Sequence, residues 1–252
     1  MSGIILALVA ATKSRTSTPT IDYMLIGGGG PGGGYYVGYN SNGGGGGAGR
    51  MVEVSGQSVA DGVVIPIAVG AGGGISEFNG NASGTAGGNG GVWYDASHFN
   101  TPGAGGGCGN MQAPGYGPNA HYGGGSSYAS TCGGGAGADA DGYSAAGAGS
   151  GGNGGDGKVS SISGTATYYG GGGGGGSNSS AASPGQGTYG CGGTGAWGAQ
   201  YTANNTLGNS GVVIIRYPNT YPDAVAVTGS PTFTNTGGYK IYKFTSSGSI
   251  KF

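Results

Sequence analysis

The chain has 252 residues, of which 70 are Gly and 17 are Tyr, and its formal net charge is −1. Arg occurs only at Arg15, Arg50 and Arg216, so the basic surface that nucleic-acid binding requires is missing. Such abundant glycine ordinarily indicates disorder or a fibre, because glycine loses much backbone entropy on folding and buries no side chain. Charged residues, however, make up only 7% of the chain, whereas disordered chains are usually rich in charge. We therefore expect an ordered structure that organises the glycines.

The N-terminal sequence MSGIILALVAATKSRTS contains an apolar stretch from Ile4 to Ala11. This stretch is far shorter than the roughly 20 residues that span a membrane, and no positive charge precedes it as in a secretory signal. It is either a buried strand or helical turn, or a segment that docks into a partner protein. The candidate docking residues are Ile4, Ile5, Leu6, Leu8 and Val9.

Three strands are predicted after this segment, at Ile21–Ile26, Arg50–Val54 and Val63–Val69. Each is rich in apolar residues and is bounded by Gly, Ser or Pro, as strands usually are. Pro66 cannot donate a backbone hydrogen bond, so it indicates an edge position or a bulge.

Residues 70–210 alternate contiguous Gly runs with short inserts rich in aromatic and small polar residues. Collagen is excluded, because it needs Gly at every third position and abundant Pro, whereas this chain has only 10 Pro. The main runs are Gly70–Gly74, Gly87–Gly91, Gly103–Gly109, Gly133–Ala138, Gly147–Gly157, Gly170–Gly176 and Gly190–Gly195.

Ordered Gly runs can adopt an extended threefold helix that has no internal hydrogen bonds and directs its N–H and C=O groups outwards. When such helices are buried, each backbone group needs a partner on a neighbouring helix. We therefore expect packed polyglycine II helices, called rods below, with inserts leaving at the rod ends. The stretch from Gly27 to Arg50 consists, on this interpretation, of rods joined by the turn Tyr35–Asn42.

The segment from Gly211 to Phe252 is predicted to be β-structure, with strand candidates in GVVIIRY, AVAVTG, PTFTNTGG, YKIYKF and SIKF. No stretch has helical periodicity. The expected fold is mostly irregular and β, a bundle of polyglycine II helices flanked by short strands, with almost no α-helix. Its regions are residues 1–18 (docking segment), 19–69 (strands and first rods), 70–210 (rods and loops) and 211–252 (C-terminal β-region).

Catalytic, metal and cofactor sites are not predicted. The two histidines, His98 and His121, lie in inserts, and no third group marks a Cys–His nucleophile pair. Carboxylates such as Glu77, Asp95 and Asp156 show no pairing of the kind that glycosidases use. We therefore expect a protein that is not an enzyme.

Two further motifs have ordinary explanations. The stretch Gly152–Val159 resembles a phosphate loop but has Val where the loop needs Ser or Thr. Asp139 and Asp141 form either a solvated turn or an adventitious Ca²⁺ site, since the remaining calcium ligands are missing.

The three cysteines, Cys108, Cys132 and Cys191, lie in Gly-rich surroundings without metal-ligand spacing. They are interpreted as small buried apolar residues. One disulfide plus a free thiol is the alternative.

The inserts carry aromatic residues among Asn, Ser and Gln, with almost no charge. This combination is typical of binding loops, because rings provide rigid contact area and small polar groups provide adaptable hydrogen bonds. Sugar rings can stack on such aromatic faces. About half of these rings are expected to pack against the rods instead. The candidate receptor-binding residues are Trp93, Tyr94, Phe99, Tyr116, Tyr122, Tyr128, Tyr143, Tyr168, Tyr169, Tyr189, Trp197 and Tyr201.

The order of strand, Gly blocks and closing strand is carried by IDYMLIGGGGPGGG, GGGGGAGR, IAVGAGG and GNSGVVIIRY. Between Ile21 and Tyr217 it resembles the glycine-rich domain of bacteriophage tail-fibre adhesins. The resemblance implies a sandwich of polyglycine II helices whose variable tip loops bind host receptors. The chain departs from that family in its β-region after Tyr217 and in its apolar N-terminus.

The expected function is that of a phage virion adhesin that recognises a bacterial surface glycan or outer-membrane protein. Its expected partners are other tail or fibre proteins and the host receptor, with no nucleic acid, no cofactor and no membrane insertion. The chain is expected to be part of the virion. Its sequence is compatible with a single copy and with a homo-oligomer. The alternative is a structural subunit of a glycine-rich cell-surface or capsid-decorating filament.

Overall fold

The computed structural model describes residues 19–34, 42–83, 86–87, 89–90, 131–147, 149–198 and 206–252. The described residues form twelve β-strands and no helix, which confirms the expected fold class. The strands are β1 Thr20–Ile26, β2 Met51–Ser58, β3 Val64–Ala68, β4 Glu77–Phe78, β5 Asn81–Ala82, β6 Lys158–Ser160, β7 Thr167–Tyr169, β8 Val212–Pro218, β9 Ala226–Thr228, β10 Thr232–Thr236, β11 Tyr239–Phe244 and β12 Gly248–Lys251.

Two antiparallel sheets pack face to face. The first has the order β10-β11-β8-β1-β2 and the second β5-β4-β3-β12-β9. The C-terminal strands therefore complete sheets begun near the N-terminus, because β8 pairs with β1 and β12 pairs with β3. Pro66 lies where β3 has a partner on one side only, since β4 pairs with Ile67 and Ala68 alone.

The core between these sheets follows from the alternation of apolar side chains along each strand. In β1, Ile21, Tyr23 and Leu25 face the second sheet, while Met24 and Ile26 face the opposite side. The inter-sheet core also contains Val59, Ile65, Ile67, Phe78, Val213, Ile215, Tyr217, Tyr242, Phe244, Ile250 and Phe252.

The opposite face of the first sheet is covered by the hairpin of β6 and β7. Ile162 and Tyr169 from this hairpin are buried against Met24, Ile26 and Ile214. The Arg216 guanidinium, which is paired with Asp22 at 3.1 Å, also donates to the Ser161 carbonyl. The insert KVSSISGTATYY, which lies between two Gly runs, therefore contributes Ile162 and Tyr169 to the core.

The central strands of the first sheet continue directly into glycine rods. Gly27, Gly30 and Gly33 donate backbone hydrogen bonds to the carbonyls of Arg50, Gly47 and Gly44, at 3.2, 2.9 and 2.8 Å. Donors spaced by three residues are the mark of a threefold helix. The N–H groups of the residues between them point to other neighbours. Gly29 and Gly32, for example, donate to the carbonyls of Asn209 and Thr206.

The same spacing of three recurs through the bundle. Gly43, Gly46 and Gly49 donate to Ala196, Gly193 and Gly190, each at 2.8 Å. Cys132, Gly135 and Ala138 donate to Gly176, Gly173 and Gly170, at 2.7–2.9 Å. The described rods are thus residues 27–34, 42–50, 86–87 with 89–90, 131–138, 151–157, 170–176, 182–187, 190–196 and 206–210.

Only glycine fits the contacts between rods. A Cβ placed on Gly46 would lie 2.1 Å from the Gly30 oxygen, and one on Gly192 would lie 1.8 Å from the Gly46 oxygen. Both distances are far below an ordinary van der Waals contact. Backbone hydrogen bonds between close-packed rods therefore take the place of an aliphatic core in this half of the molecule.

The rods have a proximal end beside the sheets and a distal end away from them. Gly27 follows β1 directly, so the rod 27–34 runs towards the distal end. Gly87 and Gly90 donate to the carbonyls of Gly28 and Pro31, so these residues follow one another in the same direction. At about 3.1 Å per residue, the rods separate the two ends by about 20 Å.

Six described residues that flank residues 35–41, 91–130 and 199–205 in sequence lie at the distal end. They are Gly34, Asn42, Gly90, Thr131, Gly198 and Thr206. The hydrogen bonds place these flanking residues distally, because Gly33 pairs with Gly44, Gly32 with Thr206, and Gly45 with Gly133.

Candidate binding face at the distal end of the rods

Three buried polar side chains anchor the distal end of the bundle. Asn42, Thr131 and Ser177 are 1%, 0% and 0% exposed. The amide of Asn42 donates to the side-chain oxygen of Asn178 at 3.0 Å, and the Thr131 hydroxyl donates to the Gly147 carbonyl at 3.1 Å. Each residue lies next to a glycine-rich run, so its side chain makes hydrogen bonds at the point where the rod ends.

The turn after rod 170–176 is closed by Ser177. Its N–H and its hydroxyl both donate to the Ser180 carbonyl, at 2.8 and 2.9 Å. Gly198 donates to the Ser177 carbonyl at 3.0 Å, which ties this turn to the end of the neighbouring rod. The described part of the distal face is therefore a rigid platform.

Trp197 lies on this platform. It follows Ala196, which is buried and donates to the Gly33 carbonyl at 2.9 Å, and its own side chain is 39% exposed. An indole fixed at its backbone but open to solvent can offer one face to a ligand. Of the predicted binding residues that the structure describes, Trp197 is the one at the distal end.

The other described aromatic candidates lie elsewhere. Tyr143 is 62% exposed on the flank of the bundle, and Tyr168 is exposed on the outer side of the β6–β7 hairpin. Tyr169 is buried beneath that hairpin, and its ring stacks on Tyr189 with centroids 6.4 Å apart. Tyr169 and Tyr189 thus belong to the rings that pack.

The remaining candidates lie outside the described residues. They are Trp93, Tyr94, Phe99, Tyr116, Tyr122, Tyr128 and Tyr201 among the receptor-binding candidates, and Ile4, Ile5, Leu6, Leu8 and Val9 in the docking segment.

Asn153 and Asp156 have a structural role in the rods that the sequence analysis did not identify. Their side-chain oxygens accept from the backbone N–H groups of Ser183 and Gln186, at 3.2 and 2.9 Å. Asn153 and Asp156 are three residues apart, as are Ser183 and Gln186. These side chains therefore accept the hydrogen bonds that the backbone of a further rod would otherwise accept. Polar residues three apart within a Gly run, like polar residues at the ends of such a run, are the signal that could have found these positions.

The described residues offer little reactive chemistry. They contain no group of three or more His, Cys, Asp or Glu that could hold a metal ion. Asp139 lies in a turn closed by the hydrogen bond from Gly137 to Ala140, at 2.9 Å. The residues that resemble a phosphate loop belong to rod 151–157. In this rod, Gly152 and Gly155 donate backbone hydrogen bonds to the carbonyls of Cys132 and Gly135.

The two described cysteines, Cys132 and Cys191, are buried, and their states match the alternative of one disulfide plus a free thiol rather than three reduced apolar residues. Cys132 is disulfide-bonded to a residue outside the described ranges, whereas Cys191 is free. Burial is the main influence on Cys191 and raises the pKa of its thiol. Cys191 is therefore neutral and unreactive at neutral pH.

Across the described ranges, the chain contains no helix with the length and apolar character to cross a membrane. A family model described as a glycine-rich domain matches residues 10–218. No curated protein and no solved structure matches the chain. The matched residues include all the described rods and strands β1 to β8, so the chain belongs to the family of proteins that carry this glycine-rich domain.

Proposed function

We propose that this chain is a bacteriophage tail-fibre or tail-tip adhesin that binds a glycan or outer-membrane protein on the host surface. The observation that carries the proposal is the polarity of the molecule. The rods lead from the sheets to a distal face that carries the exposed indole of Trp197, and seven of the twelve candidate aromatic residues lie, in sequence, between described residues of that face.

The attachment end lies at the opposite pole. Thr20 pairs with Ser58 at the end of β1 remote from the rods, so the described chain starts at the end of the sheets farthest from the distal face. A segment that docks there leaves the distal face free. The cross-linked rods, which are about 20 Å long, then hold the distal face at a fixed distance from the sheets.

Two other properties support an extracellular adhesin. The chain carries few charges, which favours recognition through stacking and hydrogen bonds. A disulfide at Cys132 fits a protein that works outside the reducing cytosol.

The experiment is a binding assay on intact bacteria with the labelled chain. Trp197→Ala removes the exposed indole on the distal platform, and Tyr168→Ala is its matched control, because Tyr168 is similarly exposed, at 42% against 39%, but lies near the sheets. We expect saturable binding to susceptible cells that Trp197→Ala weakens at least tenfold and Tyr168→Ala leaves unchanged.

Equal loss in both variants, or no binding to any cell, would contradict receptor recognition at the distal end. Ordered polymers under the electron microscope in the absence of cell binding would instead support the filament subunit. Deletion of residues 1–16 tests the opposite pole, and we expect it to abolish incorporation into virions while the melting temperature is retained.

A further inference from the structure

β10 is an open edge of the first sheet. All five of its residues, Thr232 to Thr236, are exposed. The strand pairs with β11 without any irregularity, from Thr232 opposite Lys243 to Thr236 opposite Tyr239. An exposed and regular edge is a template for another strand.

The other sheet edges among the described strands carry the usual protection against pairing. β2 contains the exposed carboxylate of Glu53, a Gly56 with φ of 71°, and a register shift opposite Ile21–Tyr23. β5 and β9 have only two and three residues. β10, with the sequence TFTNT, has no charge, proline, glycine or bulge.

The free backbone groups of β10 can be assigned from its turn. Gly237 and Gly238 form a two-residue connection to β11 with φ of 58° and 82°, so Thr236 and Tyr239 exchange both their hydrogen bonds. Because hydrogen-bonded positions alternate along a strand, Thr232 and Thr234 also bond to β11. The N–H and C=O groups of Phe233 and Asn235 therefore point away from the sheet.

We propose that two copies of the chain associate through β10, antiparallel, with Thr234 on the twofold axis. In this register Phe233 of each copy lies opposite Asn235 of the other. All four outward groups of each strand are then paired, which gives four backbone hydrogen bonds across the axis. A shift of the register would leave some of these groups without a partner.

A second copy is the occupant because the edge is complementary to itself. No side chain of β10 is charged, and the whole chain carries a net charge of only −1, so little repulsion opposes the approach. Phe233, which is 47% exposed and packs on Tyr242 with centroids 4.8 Å apart, becomes a diagonal neighbour of its own copy. Diagonal pairs lie within reach of aromatic rings.

The twofold symmetry fixes the orientation of the two copies relative to each other. A twofold axis perpendicular to the sheet reverses the strands and therefore the rods that continue them. The two distal faces point in opposite directions and both stay free. The association does not depend on what those faces bind, so it can hold even if the proposed function fails.

The test is sedimentation equilibrium of the full chain across the micromolar range, with charge changes at the axis. Thr234→Lys places two ammonium groups directly opposite each other, which destabilises cross-strand pairs. Ser55→Lys is the matched control, because it adds the same charge at an exposed position of the other edge strand, β2. We expect the wild type and Ser55→Lys to show a dimer, and Thr234→Lys to raise the dissociation constant at least tenfold.

Thr234→Glu provides the complementary charge. Each charged variant alone should be monomeric, and an equimolar mixture of Thr234→Lys and Thr234→Glu should restore the dimer. A monomeric wild type, a dimer that Thr234→Lys leaves intact, or a mixture that stays monomeric would each overturn the proposed interface. A circular-dichroism spectrum equal to that of the wild type shows that each variant is folded, while its melting temperature falls with the loss of the dimer.

Discussion

Replacing Gly46 by Ala tests the contact between rods directly. Its Cβ would lie 2.1 Å from the Gly30 oxygen, about 1.3 Å short of an ordinary contact. The clash is relieved only if rods 27–34 and 42–50 move apart by about the 1.3 Å that the contact lacks. The bonds from Gly30 to Gly47 and from Gly193 to Gly30, both 2.9 Å now, would then be lost.

The expected destabilisation follows from these two bonds. A buried group left without its partner costs about 1–3 kcal/mol, so two such losses amount to about 2–6 kcal/mol, with a midpoint of about 4 kcal/mol. At about 2–4 °C per kcal/mol for a domain of this size, the melting temperature should fall by about 10 °C. Thermal unfolding followed by circular dichroism measures this shift.

Gly149→Ala is the control, because a Cβ there has no atom within 4 Å. It should leave the melting temperature unchanged or raise it slightly, since alanine restricts the unfolded chain. If Gly46→Ala melted within 2 °C of Gly149→Ala, the rods could not be packed backbone to backbone, and the reasoning would fail.

Three further predictions concern individual side chains. Ser177→Ala should lower the unfolding free energy in urea by about 1–3 kcal/mol, with the exposed Ser179→Ala as control; equal values would mean that Ser177 does not anchor the turn. Ile162→Ala should cost about 2–5 kcal/mol and Val159→Ala, at an exposed position, under about 0.5 kcal/mol; a small effect at Ile162 would show that the hairpin does not cover the sheet. Cys191 should react with a disulfide reagent only in denaturant, and its raised thiol pKa adds stability that is lost as the pH rises above the ordinary thiol value; rapid labelling of the folded chain would refute its burial.

The sequence predicted the strands well where apolar residues cluster between Gly, Ser or Pro residues. Ile21–Ile26 became β1 Thr20–Ile26, and the five C-terminal candidates became β8 to β12. The rods were also predictable, because a low-charge chain with contiguous glycines has few other ways to satisfy its backbone groups. The pairing of rods was not predictable, since identical glycines carry no information about which neighbour they contact.

The hairpin of β6 and β7 could not be found in this way. Its strands have only three residues each, and Ile162 is a single apolar residue among serines. What makes it a core element is the second apolar face of β1 and β8, which only the folded sheet reveals. The same fact explains why Tyr169, one of twelve similar aromatic candidates, is buried rather than available to a receptor.

Hydrogen exchange at the glycine amides tests the central claim most directly. In a ¹⁵N-labelled sample, the amides of Gly30, Gly46 and Gly173, which donate to Gly47, Gly193 and Gly46 at 2.8–2.9 Å, should exchange only when the whole domain unfolds. Amides in a solvated extended chain have no such partners and exchange at once. Slow exchange at these amides would support the bundle, and rapid exchange at them would contradict it.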